Sequence, residues 1–183
     1  SKKTQIIIIN HNRSFLLIYL FYLYISLVDE KKLLKYAVDY LSKYDSSKKN
    51  LIKVLKRKIF RLKITNFEKS KLINIIDKVI INLEKNKFID DNRYSSAKII
   101  SLSNAGKSKN FIFNYLIKKG IDKLQIQNSL NFMHQDNNNW ELESAKIFVR
   151  KKKLLEKNES YEKNLAKMAR AGFSYDICKK ILG

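Results

Sequence analysis

No proline interrupts this chain of 183 residues, and only four glycines do. Both residues break helices and shape tight turns, so their scarcity leaves the helix as the element this chain can sustain. Abundant Lys, Leu, Ile and Glu push the same way. Hydrophobic residues make up 45% of the chain, enough for a core, and the length suits one domain or a row of small units.

Helix start and stop signals recur from Asp29 onward. Asp29 is placed to cap "EKKLLKYAVDYLSKY", in which Leu33, Leu34, Ala37, Val38 and Leu41 share a face. Asp45, Ser46 or Ser47 opens a second helix with Ile52, Leu55, Ile59 and Leu62 on one stripe. Thr65 and Glu68 form a T-x-x-E capping box ahead of Ile73, Ile76, Ile80 and Leu83. Asp90 or Asp91 caps the next helix, expected to bury Tyr94, Ala97 and Ile100. After a turn at Asn104–Gly106, "KSKNFIFNYLIKK" turns Phe111, Ile112, Tyr115 and Leu116 inward. Gly120 follows as a left-handed stop, and Asp122 restarts a helix carrying Ile126, Leu130 and Met133. Three further helices run from Trp140 to the end, where Gly172-Phe173-Ser174 repeats the order of Gly120-Ile121-Asp122: helix stop, apolar anchor, N-cap.

The period is about 50 residues, the mark of stacked units that bury little core alone. The expected fold is therefore all-α: about nine helices in tandem three-helix modules, forming an elongated, curved molecule. The modules are 29–87, 88–136 and 137–183, with Ala37, Ala97 and Ala145 in matching places. Residues 1–28 differ from the rest and form an apolar N-terminal extension. Its uncharged run Phe15–Val28 is short for a membrane span, which needs about 20 residues. Sequence read in frame from upstream of the natural start, or a truncation, is the first expectation for it, an added apolar helix the second and a membrane anchor the last.

The 38 basic residues outnumber 17 acidic ones, giving a formal charge of +21. A lysine-rich, arginine-poor composition is partly what an AT-rich genome produces, but an excess this large also marks a protein that meets a polyanion or an acidic surface. Cys178 is the one cysteine, and His11 and His134 lie far apart, so no metal ligand set and no disulfide framework is expected. The default compartment is the reducing cytoplasm.

Gly106-Lys107-Ser108 matches the tail of a nucleotide-binding P-loop, G-x-x-x-x-G-K-[ST]. The first glycine is missing, since Ser101 stands in its place, and a helix rather than a buried strand precedes the motif. A helix–helix turn is the better reading. No catalytic constellation appears, and neither cofactor nor small-molecule substrate is expected. Asp90 and Asp91 are adjacent acids at a helix start, where they cap amides and complement the helix dipole rather than converge on a substrate. Trp140 and Tyr115 sit in helical apolar patterns and read as core.

Three stretches carry a resemblance. "NKFIDDNRYSSAKIISLSNAGKSKNFIFNYLIKKGI" (86–121) resembles the central signature of the RecX family, regulators of the bacterial RecA recombinase: a G-[YF]-[LI]-D-D-x-R-[FY]-A stretch followed by one ending in L-x2-K-G-[IV]. "RAGFSYDICKKIL" (170–182) is similar to the family's R-x-G-F-S-x-D ending, and "YAVDYLSKYDSSKKNLIKVLKRK" (36–58) to its N-terminal segment. Together they span roughly residues 29–183. Lys87 departs from the family's usual Gly, Asn92 from its Glu, and Ser95 and Ser96 from its small-residue pattern.

The resemblance implies tandem three-helix repeats and a non-enzymatic function: binding in the groove of the RecA–single-stranded DNA filament and inhibiting its ATPase, strand exchange and SOS co-protease activities. The alternative reading is a helical protein that binds DNA or RNA directly, without RecA. The contact candidates are basic: Arg93, Lys107, Lys109, Lys118 and Lys119 in the middle module, and Arg150, Lys151, Lys152, Lys153 and Arg170 in the last. Asp90, Asp91, Tyr94, Gly106, Gly120, Gly172, Phe173 and Ser174 are expected to shape the backbone and core.

Overall fold

The computed structural model describes residues 29–155 and 160–183. The apolar extension at 1–28 lies outside them. Helix α1 occupies 29–41, and α2 to α9 follow as Lys48–Phe60, Asn66–Lys85, Asp91–Asn104, Lys109–Lys119, Lys123–Asp136, Trp140–Lys152, Tyr161–Arg170 and Tyr175–Leu182. No strand occurs among the described residues, and the fold is all-α. None of these helices is long and apolar enough to cross a membrane.

The chain divides into two compact units. Of the described residues, one unit comprises those from Asp29 to Asp45 together with Leu51–Phe88; the other comprises Ser46–Asn50 and those from Ile89 to Gly183. The first unit buries Leu33 and Ala37 of α1, Leu51, Leu55 and Ile59 of α2, and Ile76, Val79, Ile80 and Leu83 of α3. Asp29 is already helical, so it does not occupy the cap position expected of it. Ahead of α3 the Thr65 side chain accepts the Glu68 amide at 3.2 Å, while the Glu68 carboxylate accepts the Thr65 amide at 2.9 Å. Hydrogen bonds from the Thr65 hydroxyl and amide hold the Glu68 carboxyl below its ordinary pKa.

In the second unit α4 packs on α5, α6 and α7, and α9 packs on α7 and α8. One cluster gathers Tyr94, Ile99, Ile112, Leu116, Ile126, Leu130 and Trp140; another gathers Ala145, Val149, Met168, Phe173 and Cys178. Burial pushes the Cys178 thiol up in pKa, so it stays protonated and packs as a small apolar side chain.

Two expectations fail in this unit. Helix α4 does not bury Ala97 and Ile100; both are exposed, and the buried face is Tyr94, Ser95, Ile99 and Ser103. Small hydroxyl residues serve there because their Oγ atoms donate back to the helix, Ser95 to the Asp91 carbonyl at 2.6 Å and Ser103 to the Ile100 carbonyl at 2.9 Å. Phe111 of α5 is likewise not inward but 41% exposed, and Tyr115 is half-buried, while Ile112 and Leu116 fill the core.

Helices α3, α4, α5, α7 and α8 end alike. A residue with positive φ stops each, namely Lys87 (57°), Gly106 (80°), Gly120 (86°), Lys153 (53°) and Gly172 (89°). The next amide then reaches back to a carbonyl five residues earlier: Phe88 to Leu83, Lys107 to Leu102, Ile121 to Leu116, Leu154 to Val149 and Phe173 to Met168, at 2.9–3.2 Å. This closure satisfies carbonyls that a helix end leaves unpaired. The two lysines carry a Cβ in the left-handed region, which costs roughly 1–2 kcal/mol, offset in part by the lower chain entropy of a non-glycine in the unfolded state. Lys87→Gly is therefore expected to raise stability by roughly 0.5–1 kcal/mol, read as a higher urea midpoint at unchanged slope.

Candidate interaction surface

Within the second unit, two serines each bond to the start of one helix and the end of another. Ser47 is placed ahead of α2; its Oγ accepts the Asn50 amide at 3.3 Å and donates to the Lys119 carbonyl at the end of α5, at 2.6 Å. Ser108 caps α5 in the same way, accepting the Phe111 amide at 3.1 Å and donating to the Ala171 carbonyl beyond α8, at 2.7 Å. Each hydroxyl thus serves the N-terminus of one helix and the C-terminus of another, where amide and carbonyl dipoles of opposite sign meet. Both serines are fully buried.

An acid completes each junction. The Asp91 carboxylate accepts the Lys48 amide at 2.8 Å, and the Glu141 carboxylate accepts the Lys109 amide at 2.9 Å. Asp90 caps α4 itself, accepting the Asn92 and Arg93 amides. The two neighbouring aspartates therefore serve different helices. Glycine lies at both contacts: a Cβ on Gly120 would run into the Lys49 stem, and one on Gly172 would sit 2.7 Å from the Ser108 Oγ.

Three amides around the Gly-Lys-Ser turn are already engaged, which tells against a phosphate cradle. Gly106 donates to the Ser103 carbonyl and Lys107 to the Leu102 carbonyl, and the Lys109 amide is held by Glu141. Helix α7 clamps the turn from outside. Ser144 donates to the Lys107 carbonyl at 2.8 Å and Lys151 Nζ to the Ala105 carbonyl at 3.1 Å, one on each side of Gly106. Among the described residues no group of His, Cys, Asp and Glu is arranged to hold a metal ion.

These contacts distribute the basic candidates. Lys107 and Lys151 meet at the α4–α5 turn, with Arg150, Lys152 and Lys153 continuing from the end of α7. Lys109 stands at the start of α5, where Lys109, Glu141, Gly172 and Phe173 help line a cleft of about 500 Å³. Arg170 directly precedes the carbonyl that Ser108 binds, and its Nε donates to the Ala166 carbonyl of its own helix at 3.1 Å. Lys118 and Lys119 occupy the opposite end of α5, about 15 Å along the axis from Lys109 by helix rise. Arg93 is exposed in the first turn of α4. The candidates therefore fall at helix ends rather than in a single cluster. Two residues join them that sequence reasoning did not single out. Lys49 lies across Gly120, and exposed Phe111 lies under the Lys107 ammonium, 4.7 Å from the ring centroid. The i, i+4 spacing of Phe111 and Tyr115 was the available signal for the second.

The regulatory protein RecX of Myxococcus xanthus is 29% identical over 155 residues, which cover 80% of this chain and 81% of that protein. The regulatory protein RecX of Finegoldia magna is 33% identical over 155 residues, covering 80% of this chain and 68% of its own length. The chain belongs to the RecX family. A RecX crystal structure from Lactobacillus salivarius shares the fold at a TM-score of 0.64, with 23% identity over 85% of this chain and 96% of that one. A second RecX crystal structure gives the same TM-score at 19% identity, over 84% and 71%. No protein-family model matches the chain. In this RecX-family chain the serine junctions bring the start of α2, both ends of α5 and the end of α8 into one connected frame, and the basic side chains project from its joints.

Proposed function

We propose that this chain binds RecA filaments assembled on single-stranded DNA and inhibits their ATPase, strand-exchange and SOS co-protease activities in the cytoplasm, as a non-enzymatic regulator of recombination and repair. The working body is read as three-helix modules at 29–87, 88–136 and 137–183. The observation that carries the proposal is kinship over 80% of the chain with proteins named regulatory protein RecX. The charge of +21 supports it, because a filament of protein and DNA offers a polyanionic track. Basic side chains at the helix ends of the second unit, with Lys107, Lys109, Lys118, Lys119 and the Arg150–Lys153 run foremost, are the contacts proposed.

The test adds the full chain to preformed filaments and follows single-stranded-DNA-dependent ATP hydrolysis by RecA, with bare-DNA binding measured in parallel. Inhibition at well below one chain per RecA, at a salt concentration where bare DNA is not bound, is the expected result. Unchanged hydrolysis at a molar excess of the chain overturns the proposal.

A further inference from the structure

In the first unit the start of α1, the end of α2 and the start of α3 form an apolar groove of about 500 Å³. Leu33, Tyr36, Ile59, Leu62, Ile64 and Leu72 line it, and of these only Leu33 and Ile59 are buried. Phe60 and Phe67, at the same ends of α2 and α3, are exposed. A small unit gains by covering that much apolar surface at one corner.

The chain itself brings a cover to this place. Asp29 lies on the groove wall, and residues 15–28 lead straight into it with the sequence FLLIYLFYLYISLV. Every residue of that run except Ser26 is aliphatic or aromatic, and none is charged. We propose that residues 15–28 dock into the groove of their own chain and cover the first unit. A segment joined directly to the groove's edge meets it at an effective concentration on the order of millimolar, which any free partner must outcompete. The polar rim also suits an aromatic occupant. Lys58 Nζ lies 5.2 Å from the Tyr36 ring centroid and Lys71 Nζ 4.4 Å from that of Phe67, so ammonium groups already rest on rings here. Tyr19, Tyr22 and Tyr24 of the run bring further ring faces to Lys32, Lys58 and Lys71 of the groove. The run is shorter than the roughly 20 residues of a membrane span, and docking keeps it out of water and away from other chains.

The test places the photoreactive residue p-benzoylphenylalanine at Ile64 of the full chain, in the link between α2 and α3, and irradiates it in dilute solution without RecA or DNA. The expected product has the mass of one chain, with position 64 joined to a peptide from residues 15–28. A Leu20→Asp, Leu23→Asp change in the same chain puts two charges into the run and should lower the yield about tenfold at unchanged far-UV circular dichroism. The same photoreactive residue at exposed Lys32 serves if the Ile64 variant does not fold. A product of twice the mass would assign the groove to a second copy and overturns the proposal. Attachment only to residues beyond Asp29, or an unchanged yield from the charged run, also overturns it. So does loss of the crosslink on adding phosphatidylcholine vesicles, which would assign the run to a lipid surface.

Discussion

Gly106→Ala is expected to destabilise the protein by about 3 kcal/mol, although the residue belongs to a motif that looks like a ligand loop. A left-handed φ of 80° costs an alanine roughly 1–2 kcal/mol. The added Cβ would also lie 2.9 Å from the backbone nitrogen of Phe148 and 3.2 Å from its Cα. Those are helix backbone atoms, which no side-chain rotation can move aside, so α7 must shift away from the turn, an overpacking cost of roughly 1–3 kcal/mol. The shift would weaken the two α7 hydrogen bonds that clamp the turn, from Ser144 and from Lys151. For a chain of this length the loss corresponds to a fall of about 6–12 °C in Tm. Thermal unfolding checks it, and a change below about 1 kcal/mol would mean that the close approach of α7 is absent in solution. Lys107→Ala, one residue on, keeps a negative φ and the same carbonyl contact with Ser144, and serves as the mild comparison.

The helices of this fold are legible one at a time because their ends are written in local chemistry. Thr65, Asp90, Ser108, Asp122 and Ser174 each accept amides one turn on, and a side chain three residues away is within reach of any sequence window. The buried face of α4 was not legible. Apolar and small residues occur at several phases around it, and the choice of Ser95 and Ile99 over Ala97 and Ile100 is made by α5, α6 and α7 packing against it. The arrangement of the basic side chains was hidden for a related reason. It depends on bonds such as Ser47 to Lys119, Lys151 to Ala105 and Ser108 to Ala171, which join residues 72, 46 and 63 positions apart. A serine at a helix start announces a cap, but nothing nearby says that its proton goes to another helix. Phe111 was misplaced because an apolar residue beside Ile112 on a short helix fits the stripe pattern whether or not a neighbour covers it.

The Ser108 junction yields the second large effect and a test of its geometry. Ser108→Ala is expected to cost about 2–3 kcal/mol, combining loss of the α5 cap with a carbonyl at Ala171 left without that donor. Gly172→Ala should cost about 3 kcal/mol, from its φ of 89° and from a Cβ placed 2.7 Å from the Ser108 Oγ. These costs are not independent, because the atom that the new Cβ strikes is the atom that Ser108→Ala removes. The next contact, Asn110 Cβ at 3.4 Å, is ordinary packing distance. The double variant should therefore fall short of the sum of the single effects by about 1 kcal/mol, whereas the left-handed strain at position 172 persists in either background. Urea unfolding of the four proteins in the cycle measures this coupling. Strict additivity would mean that Ser108 and Gly172 do not touch, and the end-to-end joining of α5 and α8 would have to be abandoned. A coupling of the expected sign would locate the Ser108 hydroxyl against Gly172 through energetics alone. The same cycle at Ser47 and Gly120 is expected to be closer to additive, since a Cβ there meets the Lys49 stem rather than the serine.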